Sequence, residues 1–283
     1  YSREAVSDMA ASTVQAARPA ALPAPAGQAG LRGTLASELT KIRSTRSTWW
    51  TLLALIVVTV GFGALASFGA TRGGGHGPGF DATMHSLGGL YLGQLIIAVL
   101  GALVITSEYS TGMVRTSLTA MPRRGVVFAA KALVFGLVAF VVGMITSFAS
   151  FFLGQAIMSS DHINASLGQP DVLRAVIGGA LFLTACGLLA FGIGMMLRHT
   201  AGAITAAIGL LFVLTVLVQF LPQSWQVHVD KWIPALAGSQ VWQVHPSAGG
   251  APMFSAWGGF AVLAGYAVLA LIGGFILFVR RDA

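Results

Sequence analysis

Charge is what this sequence has least of. Only 9% of its 283 residues are charged, while 55% are hydrophobic and the mean hydropathy is +0.80. A soluble domain carries roughly 25% charged residues. The deficit excludes an ordinary water-soluble domain and puts most of the chain in a bilayer. Cysteine is almost absent. Cys186 stands alone in an apolar run, so no disulfide framework can form within the chain, and it reads as a small buried hydrophobe. Lysine occurs only at Lys41, Lys131 and Lys231. None belongs to a GxxxxGK[ST] segment, so the loop that cradles nucleotide phosphates is missing. The Gly-rich Thr71–Phe80 stretch lacks that lysine and reads as a flexible loop. HExxH, GxSxG and paired catalytic carboxylates are also missing, and no residue pattern calls for a cofactor. No ionisable side chain lies at mid-depth of any apolar run, which argues against an ion-driven carrier.

Six long apolar runs are present, near Trp49–Ala70, Leu87–Ser107, Gly125–Ile157, Val172–Leu197, Ala201–Leu221 and Phe254–Val279. Each is long enough as a helix to cross a hydrocarbon core of roughly 30 Å. Orientation follows from Lys and Arg. Arg32, Lys41, Arg43, Arg46, Arg115, Arg123, Arg124, Arg198, Arg280 and Arg281 fall on one side, with Lys131 near a helix end. Arg72, Arg174 and Lys231 fall on the other. The basic side is expected in the cytoplasm, with both termini. The net charge of +7 is therefore a topology signal and does not call for nucleic acid. Residues 1–30, rich in Ala and Pro, hold no apolar segment of signal-peptide length and read as a disordered tail, in which Met9 is a candidate start.

Two basic, amphipathic segments interrupt this plan. Residues 31–50, LRGTLASELTKIRSTRSTWW, place Leu31, Leu35, Leu39, Ile42 and Trp49 on one helical face. Glu38 precedes a basic stretch of Lys41, Arg43 and Arg46 that can snorkel to headgroups, and Trp49 and Trp50 mark the interface. A helix lying in the leaflet surface is expected. The second segment, EYSTGMVRTSLTAMPRR over residues 108–124, lies between the second and third runs. Ser110 or Thr111 suits a helix start, Met113, Val114, Leu118 and Met121 form an apolar stripe, and Pro122 suits a stop. Glu108 needs a cationic partner in this position, and Arg115, Arg123 or a docking protein are candidates.

SELTKIRSTRSTWWTLL together with SEYSTGMVRTSLTAMPRR resembles the actinobacterial permease subunits of ABC-2 type exporters. The resemblance runs over about residues 31–283, with its specific motifs in those two segments. It implies an all-α membrane protein of six transmembrane helices with an N-terminal interfacial elbow helix, an ABC-2, type V exporter-like permease fold in one domain. Residues 34–47 would be the elbow, with Glu38, Lys41, Arg43, Arg46 and Trp49. Residues 108–124 would be the coupling region that touches an ABC ATPase subunit, through Glu108, Tyr109, Gly112, Met113, Arg115, Leu118, Arg123 and Arg124. The family implies a second permease subunit, ATP hydrolysis in a separate chain and a place in the plasma membrane. A hydrophobic or amphipathic substrate, such as a drug, an antibiotic or a lipid, would suit the path.

Other features carry less. Gln94 in the second run and Met144, Phe148 and Phe151 in the third are candidates for a translocation path, although Phe and Met more often pack or face lipid. Gly89 and Gly93 form a GxxxG suited to close helix packing. The 223–253 loop is the longest expected outside, and residues 232–238 suit a short helix turning back toward the bilayer. His76, His85, His162, His228 and His245 fall on that outer side, where a metal site competes with a plain solvated loop. A stand-alone channel or assembly factor anchored by its basic segments, and a metalloenzyme using the outer histidines, are the competing classes.

Overall fold

A computed structural model describes residues 31–73, 80–113, 124–244 and 253–280. Among these residues every regular element is helical. Helix α1 (Leu31–Ser44) precedes α2 (Arg46–Arg72). Then come α3 (Ala82–Leu87) and α4 (Leu90–Ser110), which together form the second long segment. Helix α5 (Arg124–Met158) is the longest, and α6 (Val172–Leu197) follows. Helix α7 (Thr200–Ile208) passes through a π turn at Gly209–Val213 into α8 (Leu214–Val218). Short helices α9 (Gln223–Val229) and α10 (Pro234–Ser239) lead to α11 (Ala256–Arg280). Six segments are long and apolar enough to cross a membrane: Arg46–Arg72, Ala82–Ser110, Arg124–Asp161, Val172–Leu197, Thr200–Val218 and Ala256–Arg280. They are the six apolar runs, called spans 1 to 6 below.

The helix expected over 34–47 ends early. Thr45 adopts an extended backbone, its hydroxyl donates to Lys41 O, and a new helix starts at Arg46. Arg46 and Trp49 therefore belong to span 1. The Trp49 indole still reaches back across the break to donate to Arg43 O at 2.8 Å. Helix α1 presents Thr34 and Glu38 inward, while Leu39 is exposed. A polar edge toward the bundle and an apolar side outward suit a helix lying in a lipid surface.

Span 4 is the centre of the bundle, packed against spans 2, 3 and 6. Spans 1, 5 and 6 keep broad apolar faces exposed. Small residues allow this crowding. Gly89 and Gly93 of span 2 lie against Thr59 of span 1, so closely that a side chain at Gly89 would run into the Thr59 backbone. The GxxxG thus packs within the chain. Buried hydroxyls and amides bridge the spans: Ser147 donates to Val176 O at 2.6 Å, Ser150 to Ser86 O at 2.6 Å, and Gln155 to Ala82 O at 3.2 Å. In a lipid environment such groups need partners inside the protein.

Residues 232–242 return to the bundle. Pro234, Ala235, Ala237, Gly238 and Ser239 of α10 are buried, and Trp242 is fully buried against Tyr91 and Phe182. Arg174 at the start of span 4 holds this hairpin, donating to Val241 O at 2.9 Å and Gln243 O at 3.1 Å.

Candidate functional site

Two of the three glutamates and two of the three lysines in the sequence meet at the basic end of the bundle. Lys131 Nζ lies 2.8 Å from Glu38 Oε2 and 2.5 Å from Glu108 Oε1. Lys41 Nζ lies 3.0 Å from Glu38 Oε1 and 3.5 Å from Glu108 Oε1. Glu38, Glu108 and Lys131 are buried, and Lys41 is partly open. Formally the four charges cancel. Buried ions persist only when paired this way, because desolvation of each alone is costly.

The cluster joins three elements that are far apart in sequence. Glu38 and Lys41 sit one turn apart on α1. Glu108 lies in the last turn of span 2. Lys131 lies about 10 Å along span 3, at 1.5 Å per residue from Arg124. Burial alone would lower the pKa of Lys41. Its hydrogen bond to Glu38 and the charges of Glu108 and Glu38 outweigh that and raise it above 10.5. Glu108 Oε2 is buried with no hydrogen-bond partner among the described residues.

Neighbouring contacts extend the linkage. Tyr109 donates to Met195 Sδ on span 4, and its ring lies under the Arg198 guanidinium, 5.0 Å from the centroid. Arg198 donates to Leu277 O and Arg124 to Val279 O, both near the end of span 6. Cations at a helix C-terminus satisfy its last carbonyls and suit its dipole. Span 2 does not restart as a helix at Ser110 or Thr111. Those hydroxyls donate back to Ser107 O and close span 2. Gly112 then turns the chain with φ of 70°, a left-handed value that glycine adopts freely.

The expected coupling residues therefore divide. Glu108 and Tyr109 are built into the bundle, Gly112 makes the turn, Met113 is exposed, and Arg124 starts span 3. Arg115, Leu118 and Arg123, with the amphipathic stripe of residues 114–121, lie outside the described residues. Two partners of Glu108 were missed. Lys131 and Lys41 already pair Glu108. Of the elbow residues, Glu38 and Lys41 enter the cluster, while Arg43, Arg46 and Trp49 are exposed.

The candidate path residues lie on two spans. Met144, Phe148 and Phe151 run along span 3, with Phe151 buried. Gln94 lies on α4, which barely touches span 3 because both pack on span 4. Gln94 donates to Tyr91 O at 3.1 Å and leaves its own Oε1 buried without a partner. The described histidines expected on the outer side do not converge. His85 stacks near Phe80, His162 sits in a turn, and His228 is exposed. His76 and His245 lie outside the described residues. Among the described residues no three His, Cys, Asp or Glu side chains gather as a metal site would require.

Comparison with known proteins adds one match. The family described as ABC-2 family transporter protein matches residues 34–218, which take in α1, the ion cluster and spans 1 to 5. No curated protein matches the chain.

Proposed function

The chain belongs to the ABC-2 transporter family, and from that premise we propose that it is the permease subunit of an ATP-driven exporter. It works beside a separate ATPase subunit, the partner that the family generally implies. A second permease subunit completes the transporter, and the substrate is hydrophobic or amphipathic. The protein sits in the plasma membrane with its basic end and both termini in the cytoplasm.

The observation that carries this reading is the position of Glu108. It is the last buried residue before the turn that leads into the coupling region, and Lys131 ties it to span 3 and α1. A displacement of residues 108–124 by an ATPase is thereby felt by three elements together. Two global states with different contacts at this handle are what coupling requires. Residues 232–242, folded back at the other end, suit an exit gate.

The test is the composition of the native complex. A tagged chain purified from its own membranes in mild detergent should bring a soluble chain with a Walker A loop. Scrambling residues 112–118 should release it while the permease stays folded. An intact chain that brings no ATPase overturns the exporter and favours a stand-alone membrane protein.

A further inference from the structure

A cleft of about 380 Å³ opens beside the ion cluster, between the α1–α2 corner and span 2. One end is polar and the other is greasy. Glu38, Lys41 and Glu108 stand at the polar end, and Leu100, Leu103 and Val104 continue it along span 2. Glu108 lies about 12 Å beyond Leu100 along the helix at 1.5 Å per residue. Exposed Trp49 and Trp50 on the adjoining turn place the polar end at headgroup depth.

The polar lining is rich in acceptors. Ser44 and Thr45 donate their hydroxyl hydrogens to Lys41 O, Thr51 donates to Ser47 O, and Thr111 to Ser107 O. Their oxygens keep lone pairs for a visitor. Glu108 is 8% exposed, faces the cleft, and holds an Oε2 with no partner among the described residues. A buried carboxylate oxygen without a donor is costly. A ligand with N–H groups on a cation answers that need.

The charges narrow the ligand further. Glu38, Glu108, Lys41 and Lys131 already sum to zero, so an added anion or cation alone would leave a net charge beside buried groups. A zwitterion adds none. We propose that the cleft binds one phosphatidylethanolamine molecule from the leaflet at the basic end. Its ammonium donates to Glu108 Oε2 and the hydroxyl oxygens, its phosphate faces Lys41, and its acyl chains follow Leu100, Leu103 and Val104. A choline headgroup has the same charges but no N–H to give. A glycerol headgroup leaves the phosphate charge unbalanced. The bound lipid stands as a wedge between α1 and span 2, against the cluster that carries the coupling.

The full chain tests this in nanodiscs holding equal amounts of dioleoyl phosphatidylethanolamine, phosphatidylcholine and phosphatidylglycerol. After extraction and extended detergent washing, the lipids kept by the protein are quantified by mass spectrometry. Phosphatidylethanolamine should exceed phosphatidylcholine by about tenfold, the value of one charge-assisted hydrogen bond. Ser107→Phe, which fills the cleft from an exposed position outside the ion cluster, should abolish the excess. Equal retention of the three headgroups, dominance of phosphatidylglycerol, or an excess that survives in a folded Ser107→Phe chain overturns the proposal. The headgroup comparison on the unaltered chain decides even if that variant misfolds. The assay reads neither transport nor ATPase binding, so failure here and failure of the exporter reading are told apart.

Discussion

Glu108 on α4 and Lys131 on α5 share a 2.5 Å hydrogen bond, although these two helices barely touch otherwise. The pair is a cross-strut at the basic end, and Glu38 makes it a triangle with α1.

Breaking the strut on one side should cost more than removing it. Lys131→Met leaves Glu38 and Glu108 buried with only the partly open Lys41, and should destabilise the purified chain by about 3–5 kcal/mol. Adding Glu108→Gln to it should recover part of the loss, since fewer unpaired charges remain. Thermal unfolding in detergent of both variants measures this. A double variant worse than the sum of the singles would mean the pair is not one unit.

Lys41 sets a pH window for α1. Its folded pKa lies above 10.5, so its stabilising contribution is complete below 10.5 and is lost as pH rises through the raised folded value. A spin label at Leu39→Cys, in a Cys186→Ala background, should keep its mobility from pH 7 to about 10 and gain mobility above that. Lys41→Met should remove the transition at that end of the range. A transition near neutral pH would point to another group.

Topology is tested at Ser110, exposed at the end of span 2. Ser110→Cys in the Cys186→Ala background should react only with a membrane-permeant thiol reagent in intact cells. Reaction with an impermeant one inverts the orientation drawn from Lys and Arg.

Close packing of spans 1 and 2 gives an internal comparison. Gly93→Ala meets the Thr59 hydroxyl and Leu183, and should destabilise by about 1–3 kcal/mol as overpacking does. Gly61→Ala meets nothing within 4 Å and should be neutral or slightly stabilising through helix propensity. Equal melting temperatures for the two variants would reject the GxxxG contact.

Arg174 should control the folded-back hairpin. Arg174→Ala removes two charge-assisted bonds to Val241 O and Gln243 O, so hydrogen exchange in residues 234–242 should speed up by at least about tenfold. Unchanged protection would mean that the burial of Trp242 suffices alone.

The spans were legible because hydropathy is a local signal that a helix must satisfy by itself. The ion cluster was not, because its members lie 67 and 93 residues apart in sequence and only packing brings them together. A trace of it was visible. Lys131 is a lone lysine inside an apolar helix, and the chain has only two glutamates outside its N-terminal tail. Counted as one more basic residue near a helix end, it lost that meaning. The helix break at Thr45 was hidden for another reason, since nothing in STRSTWW departs strongly from helical propensity. The path residues were drawn from side-chain type, which cannot say which faces of spans 2 and 3 look at span 4.

The ion cluster also has an order of arrival. A chain emerges from its N-terminus, so Glu38 and then Glu108 reach the membrane before Lys131 does. The one lysine that must enter deep in a helix finds both acids waiting on segments already inserted. Span 4, on which spans 2, 3 and 6 pack, comes only afterwards. Until then the charges add to the packing of span 1 on spans 2 and 3 in holding the first three segments together during synthesis.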